Sequence, residues 1–179
     1  MRTIMGRDAT RKTVRVLTAA AAALGAAILA AGPALADAAP EIRVTVSEGL
    51  RARSQELDRS DLETLRADLT ASVARALARS NGGALHAVRV DIVLEDARAN
   101  RPTMARLNRE PSLSLRSLAL GGARVTGRLI SADGAEHPFD LENYGTNLRD
   151  DIGATTWTDA DRAFDRFASD LAAGRLRDR

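Results

Sequence analysis

The sequence predicts an α+β fold. The expected architecture is a two-layer α/β sandwich of element order β-α-β-β-β-α, with or without one extra strand. Two helices pack on one face of a mainly antiparallel sheet. Three observations carry this. Residues 42–47 and 87–94 alternate between apolar and polar side chains, the period of a half-buried strand. Between them, leucines recur at intervals of three and four, the period of a helix. Further apolar runs are then punctuated by Gly121-Gly122 and Asp133-Gly134, which read as tight turns between strands.

The elements follow in order. Ile42, Val44 and Val46 alternate with Arg43, Thr45 and Ser47 and form the first strand. Residues 48–59 are polar and read as a loop. Ser60-Asp61-Leu62-Glu63 is a capping box, in which the serine hydroxyl accepts from a free amide and Glu63 reaches back. It opens a helix over 60–80, with Leu62, Leu65, Leu69, Val73 and Leu77 as its apolar stripe. Asn81-Gly82-Gly83 stops that helix, because glycine tolerates the left-handed cap. Val88, Val90, Ile92 and Leu94 form the second strand, and the β-α-β order lays the helix over the sheet. Residues 96–111 form an arginine-rich loop broken by Pro102 and Pro111.

Leu113–Leu120 and Ala123–Ser131 flank Gly121-Gly122 and read as a hairpin. That pairing leaves Leu113 and Leu115 on the wrong face, so a bulge near Arg116-Ser117 is expected to restore the phase. At the next turn, a two-residue loop would set Phe139 and Leu141 opposite to Leu129. A three-residue loop, Asp133 to Ala135, aligns them and puts His137, Phe139 and Leu141 on one face. Residues 145–157 read as a loop. Thr158 caps a last helix, with Asp159 and Asp161 favourable at its positive end. Phe164, Phe167 and Leu171 form its stripe, Trp157 anchors the chain before it, and Gly174 ends it.

The chain has 179 residues, 45% hydrophobic and 28% charged, which are values of a single globular domain. It has no cysteine, which excludes a disulfide scaffold, a thiolate metal site and a cysteine nucleophile. Residues 1–36 read as a cleaved signal peptide. Arg2, Arg7, Arg11, Lys12 and Arg15 precede the charge-free stretch Val16–Ala31, and Ala34-Leu35-Ala36 is a small-x-small cleavage site. The stretch is shorter than the roughly 20 apolar residues of a membrane span, so no stable span is expected after cleavage. Arg11-Lys12 is not a twin arginine, which favours the Sec route, and no cysteine follows for lipidation. The expected location is the periplasm, with residues 37–179 forming one α/β domain. The leader holds five basic residues and one acidic residue of the chain's 26 and 24. The remainder therefore carries 21 against 23, a formal net charge of −2. That balance, with 3% aromatics, gives no nucleic-acid footprint.

No phosphate loop, dinucleotide fingerprint, H-E-x-x-H or G-x-S-x-G motif occurs, so neither a cofactor nor a metal is expected. The most distinctive segment is 98–109, in which Arg98, Arg101, Arg106 and Arg109 occur with no acid among them. Arginine forks match carboxylate and phosphate oxygens, and a loop on a rigid sheet is a common binding position. The competing view is a solvated loop. His137 lies near Asp133, Glu136, Asp140 and Glu142, a set able to bind a divalent ion or act as acid and base. The bland view of that set is a hairpin with an exposed acidic edge. His86 reads as a strand-end histidine. Asp150-Asp151 reads as a loop pair or as a complement to the arginines.

Asn100-Arg101-Pro102-Thr103, Gly121-Gly122-Ala123 and Thr156-Trp157-Thr158-Asp159-Ala160, running into Arg162-Ala163-Phe164-Asp165-Arg166-Phe167, carry a resemblance. Over residues 85–171 the chain resembles small secreted or lipidated proteobacterial envelope proteins of unknown function. It departs from the lipidated ones in having no cysteine to acylate. The resemblance implies an envelope location and brings no catalytic residue with it. The reading that follows is a non-enzymatic periplasmic binding or assembly-factor domain. It would use the arginine-rich loop, with an open sheet edge, to contact an envelope protein or an anionic polymer. Two other readings compete: a hydrolase using carboxylates near His137 or Asp150-Asp151, and a small-ligand carrier with a pocket between helices and sheet.

Overall fold

The computed structural model describes residues 39–53 and 56–176, and the expected signal peptide lies outside them. The elements are β1 (Glu41–Val46), α1 (Glu48–Ala52), α2 (Arg59–Arg79), β2 (Ala87–Arg98), α3 (Met104–Leu107), β3 (Gly122–Ser131), β4 (Glu136–Tyr144), a 3-10 turn (Leu148–Asp151) and α4 (Thr158–Ala172). The strands lie in the order β1-β2-β3-β4; β1 runs parallel to β2, and the other two pairings are antiparallel. With the short helices set aside, this is the expected β-α-β-β-β-α order without the extra strand.

Period-two patterning gives the sheet one apolar face. Val44, Val46, Val90, Ile92, Leu94, Val125, Leu129, Phe139 and Leu141 are buried on it. Helices α2 and α4 pack together over that face, α2 against β1 and α4 against β3 and β4. Leu65, Leu69, Val73 and Leu77 of α2 meet Phe164, Phe167 and Leu171 of α4 in the core. Each such side chain stabilises the fold by about 1.5–3 kcal/mol on burial. The other face carries a lattice of opposite charges, with Asp91 between Arg89 and Arg128, and Arg124 paired with Asp140 across the strands.

Several boundaries differ from expectation. Residues 48–59 contain α1, capped by Ser47, whose hydroxyl accepts from the Leu50 amide at 3.2 Å. The cap of α2 is Asp58 rather than Ser60. Asp58 and Asp61 form the reciprocal box, and Glu63 pairs instead with Arg59. A carboxylate one residue before the helix serves its positive end better than a hydroxyl inside it. The strand expected at 113–120 does not form. β3 is already paired on both edges, with β2 on one side and β4 on the other, so no edge is left for it. The β2–β3 ladder shifts register at two places, Ala87/Arg89 and Leu94/Asp96, and the second keeps Ala97 and Ala123 inward. The turn before β4 is a three-residue loop as expected but spans 132–134, and Leu129 faces His137 while Gly127 faces Phe139.

Candidate functional site

Two long connections meet at the end of the sheet where β2 and β4 finish and β3 begins. The first, residues 99–121, joins β2 to β3 and contains the arginine-rich segment. The second, residues 145–157, joins β4 to α4. With no strand pairing to use, both must find partners elsewhere for their backbone polar groups. Asn100 supplies many of them. It is fully buried. Its amide donates to the Thr156 carbonyl at 2.8 Å, and its carbonyl accepts from the Ala119 amide at 2.9 Å. Its side-chain Oδ1 accepts from the Asp159 amide at 2.8 Å, and Nδ2 donates to Asp159 Oδ2 at 2.7 Å.

Asn100 therefore caps α4 from a distance. Thr158, expected as the cap, lies inside the first turn and accepts from the Thr155 amide at 2.8 Å. The side chain of Asp159 faces inward and also accepts from the Gly121 amide at 3.2 Å and from Arg162 Nη1 at 2.9 Å. Burial pushes the Asp159 carboxyl up, but Asn100 and Arg162 outweigh it and hold the group below the ordinary carboxylate range. Two glycines make room for this node. A Cβ on Gly121 would lie 2.5 Å from Asn100 Oδ1, and one on Gly145 would lie 2.5 Å from Asp159 Oδ2. The three stretches singled out in the sequence, around Asn100, Gly121 and Asp159, thus converge in space.

Beside the node lies an open cleft of about 330 Å³, lined by residues of 97–106, of 113–120 and, from the connection between α1 and α2, by Arg53, Glu56 and Leu57. Arg98, Arg101 and Arg106 line it together with Leu113, Leu118 and Leu120. Three of the four predicted arginines are brought together. Arg109 is exposed and stands outside the lining. Arg53, which sequence reasoning missed, also lines the cleft and is ion-paired to Glu56 and Asp96.

The arginines are not alike. Arg98 pairs with Asp96 at 3.1 Å and lies over the Tyr144 ring, 4.5 Å from its centroid. The Tyr144 hydroxyl donates to Asp96 at 2.8 Å; burial and that carboxylate push its phenol up to about 12. Arg106 pairs with Glu110 one turn on at 2.9 Å. Arg101 instead donates to two carbonyls, that of Leu115 at 2.8 Å and that of Ala154, and so staples both connections. Carbonyl partners satisfy its protons without cancelling its charge.

Three of the four leucines expected in a strand are exposed instead, Leu115 by 62%, Leu118 by 37% and Leu120 by 40%, while Leu113 is half-buried; Met104 of α3 is 61% exposed. Apolar side chains beside cations form an amphiphilic surface.

The other sequence candidates are dispersed. His137 faces Ser131, whose Oγ is 3.2 Å from its Nε2. Asp133 accepts from Ser131 and from the Ala135 amide and shapes the turn. Glu136 and Asp140 pair with Arg128 and Arg124. Among the described residues, no group of three or more His, Cys, Asp or Glu could hold a metal ion. His86 is exposed, with φ of 46°. Asp151 turns inward to Arg162, 3.6 Å away, not to the arginines of 98–109. No helix among the described residues is long and apolar enough to cross a membrane. The sequence matches no protein-family model and no curated protein.

Proposed function

We propose that this protein is a non-enzymatic binding or assembly module of the bacterial cell envelope, exported to the periplasm. Its cleft takes an apolar segment of an envelope protein that bears a carboxylate. The observation that supports this is the convergence of Arg98, Arg101 and Arg106 with Leu113, Leu118 and Leu120 on one open cleft. A hydrolase would need acid and base groups converging in a cleft. The carboxylates around His137 are instead spent on turns and ion pairs. A carrier would need an enclosed apolar cavity, and this cleft is open and carries charge.

The charge pattern favours a protein over an anionic polymer. Arg98 and Arg106 already have carboxylate partners, whereas Arg101 keeps its charge. A polyanion gains from many unpaired cations. A segment with one carboxylate and two or three apolar side chains gains from one cation set among leucines. Such an interface follows the pattern of an apolar core with a charged anchor.

The test is a photo-crosslinking residue placed at Leu118 in intact cells, with a control at Arg128 on the opposite sheet face. A discrete protein adduct at 118, absent at 128 and lost when Leu120→Glu is added, is expected. The captured segment should carry the acid, and its synthetic peptide should bind and weaken at least tenfold when that acid becomes an amide. Equal labelling at both positions, or adducts with polymer alone, would overturn the reading.

A further inference from the structure

Two carboxyl groups at the node are buried: Asp151 is 2% exposed and Asp159 5%. They come from different segments, the 3-10 turn and the first turn of α4. One guanidinium, that of Arg162, serves both, at 2.9 Å from Asp159 and 3.6 Å from Asp151. Asp159 has further donors in Asn100 and Gly121 and sits at the positive end of a helix. Asp151 is worse off, because its Oδ2 is buried and has no hydrogen-bond partner among the described residues.

Two ionised carboxylates beside one cation would leave a buried negative charge uncompensated, which a protein interior tolerates poorly. A shared proton is the least disruptive remedy, and it belongs on the carboxyl with the fewest donors. A proton on Asp151 makes it a donor, and the acceptor beside it is Asp159.

We propose that Asp151 is a proton-operated latch: neutral, it clips the 145–157 connection onto the Asn100–Asp159 node, and on losing its proton it is repelled by Asp159 and releases that connection. The node ties together two of the three segments that line the cleft, 97–106 and 113–120. Asn100 is bonded to Ala119 of one wall and precedes Arg101, which is bonded to Ala154 and Leu115. Release therefore loosens the cleft. This goes beyond the binding reading and does not depend on it, since the release needs no ligand.

Among the described residues, the groups facing Asp151 are Asp159 and Arg162 from α4 and Asn100 from the connection after β2. Burial pushes the Asp151 carboxyl up, and the charge of Asp159 adds to this; Arg162 and Asn100 oppose it without cancelling it. Above the ordinary aspartate value of 3.8, the folded protein keeps a proton that the unfolded chain has lost. The contribution of the latch is thus full on the acid side and falls as pH rises through the raised value.

Trp157, the only tryptophan, is buried at the start of α4 and reports on this junction. Its fluorescence in the purified protein is expected to show a one-proton transition above the ordinary aspartate range. Amide exchange at Gly121 and Asp159 should be at least tenfold faster on its alkaline side than pH-scaled intrinsic rates predict. Asp151→Asn, which mimics the neutral carboxyl, should abolish the transition, and Asp159→Asn should move it to lower pH. If Asp151→Asn fails to fold, the carboxyl carbon-13 titration of Asp151 in the unaltered protein decides. A midpoint at or below 3.8, a flat fluorescence profile, or an unchanged transition in Asp151→Asn would overturn the proposal.

Discussion

Replacing Asn100 with alanine tests the node most directly. The backbone bonds to Thr156 and Ala119 survive the substitution, so only side-chain contacts are lost. Two of these dominate: the bond to the Asp159 carboxylate at 2.7 Å and the one from the Asp159 amide at 2.8 Å. The first is charge-assisted, and a hydrogen bond of that kind contributes about 1.5–3 kcal/mol. The second is a helix cap, whose loss typically costs about 1 kcal/mol. Both lost partners are buried, and unsatisfied buried groups carry a desolvation penalty of about 1–3 kcal/mol. The terms overlap, because one side chain supplies both, and water can enter part of the space. We expect a loss of about 3–4 kcal/mol, at the upper end for a single substitution. At roughly 3–4 °C per kcal/mol for a domain of this size, the melting temperature should fall by about 10 °C. Urea unfolding followed by Trp157 fluorescence and by far-ultraviolet circular dichroism measures it, with an unchanged m-value as the control. A loss below about 1 kcal/mol would show that the node is replaceable by water and would refute the reasoning.

Other consequences are as direct. Gly121→Ala should destabilise by about 2 kcal/mol or more in the same assay, since its Cβ would lie 2.5 Å from Asn100 Oδ1. Phe164→Ala removes a fully buried ring from between the helices and should cost about 3–5 kcal/mol. Tyr144 should ionise near 12 in a spectrophotometric titration, and Asp96→Asn should bring its midpoint back towards 10. Because the folded state holds that phenolic proton longer than the unfolded chain, stability should fall as pH rises from about 10 to 12, and less so in Asp96→Asn. Leu120→Glu should leave stability within about 0.5 kcal/mol, because the side chain is exposed, while abolishing the expected cleft adduct at position 118.

The helices and sheet were legible because their signals are local. The stripe Leu65, Leu69, Val73 and Leu77 can be buried in only one way, and Leu129, Phe139 and Leu141 could share a face only across an odd-length turn. The segment 113–120 failed for the complementary reason. Its leucines suit a strand, but strand formation needs a free edge, and β3 has none. The exposed leucines that result make one side of the cleft. Asp58 displaced Ser60 as the α2 cap because both residue types fit the local rule and only the path of the chain chose between them.

The candidate site was half visible. A run of arginines without acids marked the right segment, but not which charge stays uncompensated. That depends on Glu110, Asp96 and two carbonyls, whose positions follow from the packing. Asn100, Asp151, Asp159 and Arg162 give no motif, because their partners are up to 59 residues apart. Patterning along the chain reflects each residue's own preference for water or for a given backbone shape, and it suffices for element type, core faces and turn parity. Which buried polar groups meet depends on how two irregular connections close over the end of the sheet. That closure is governed by the need to satisfy every backbone and carboxyl group water no longer reaches.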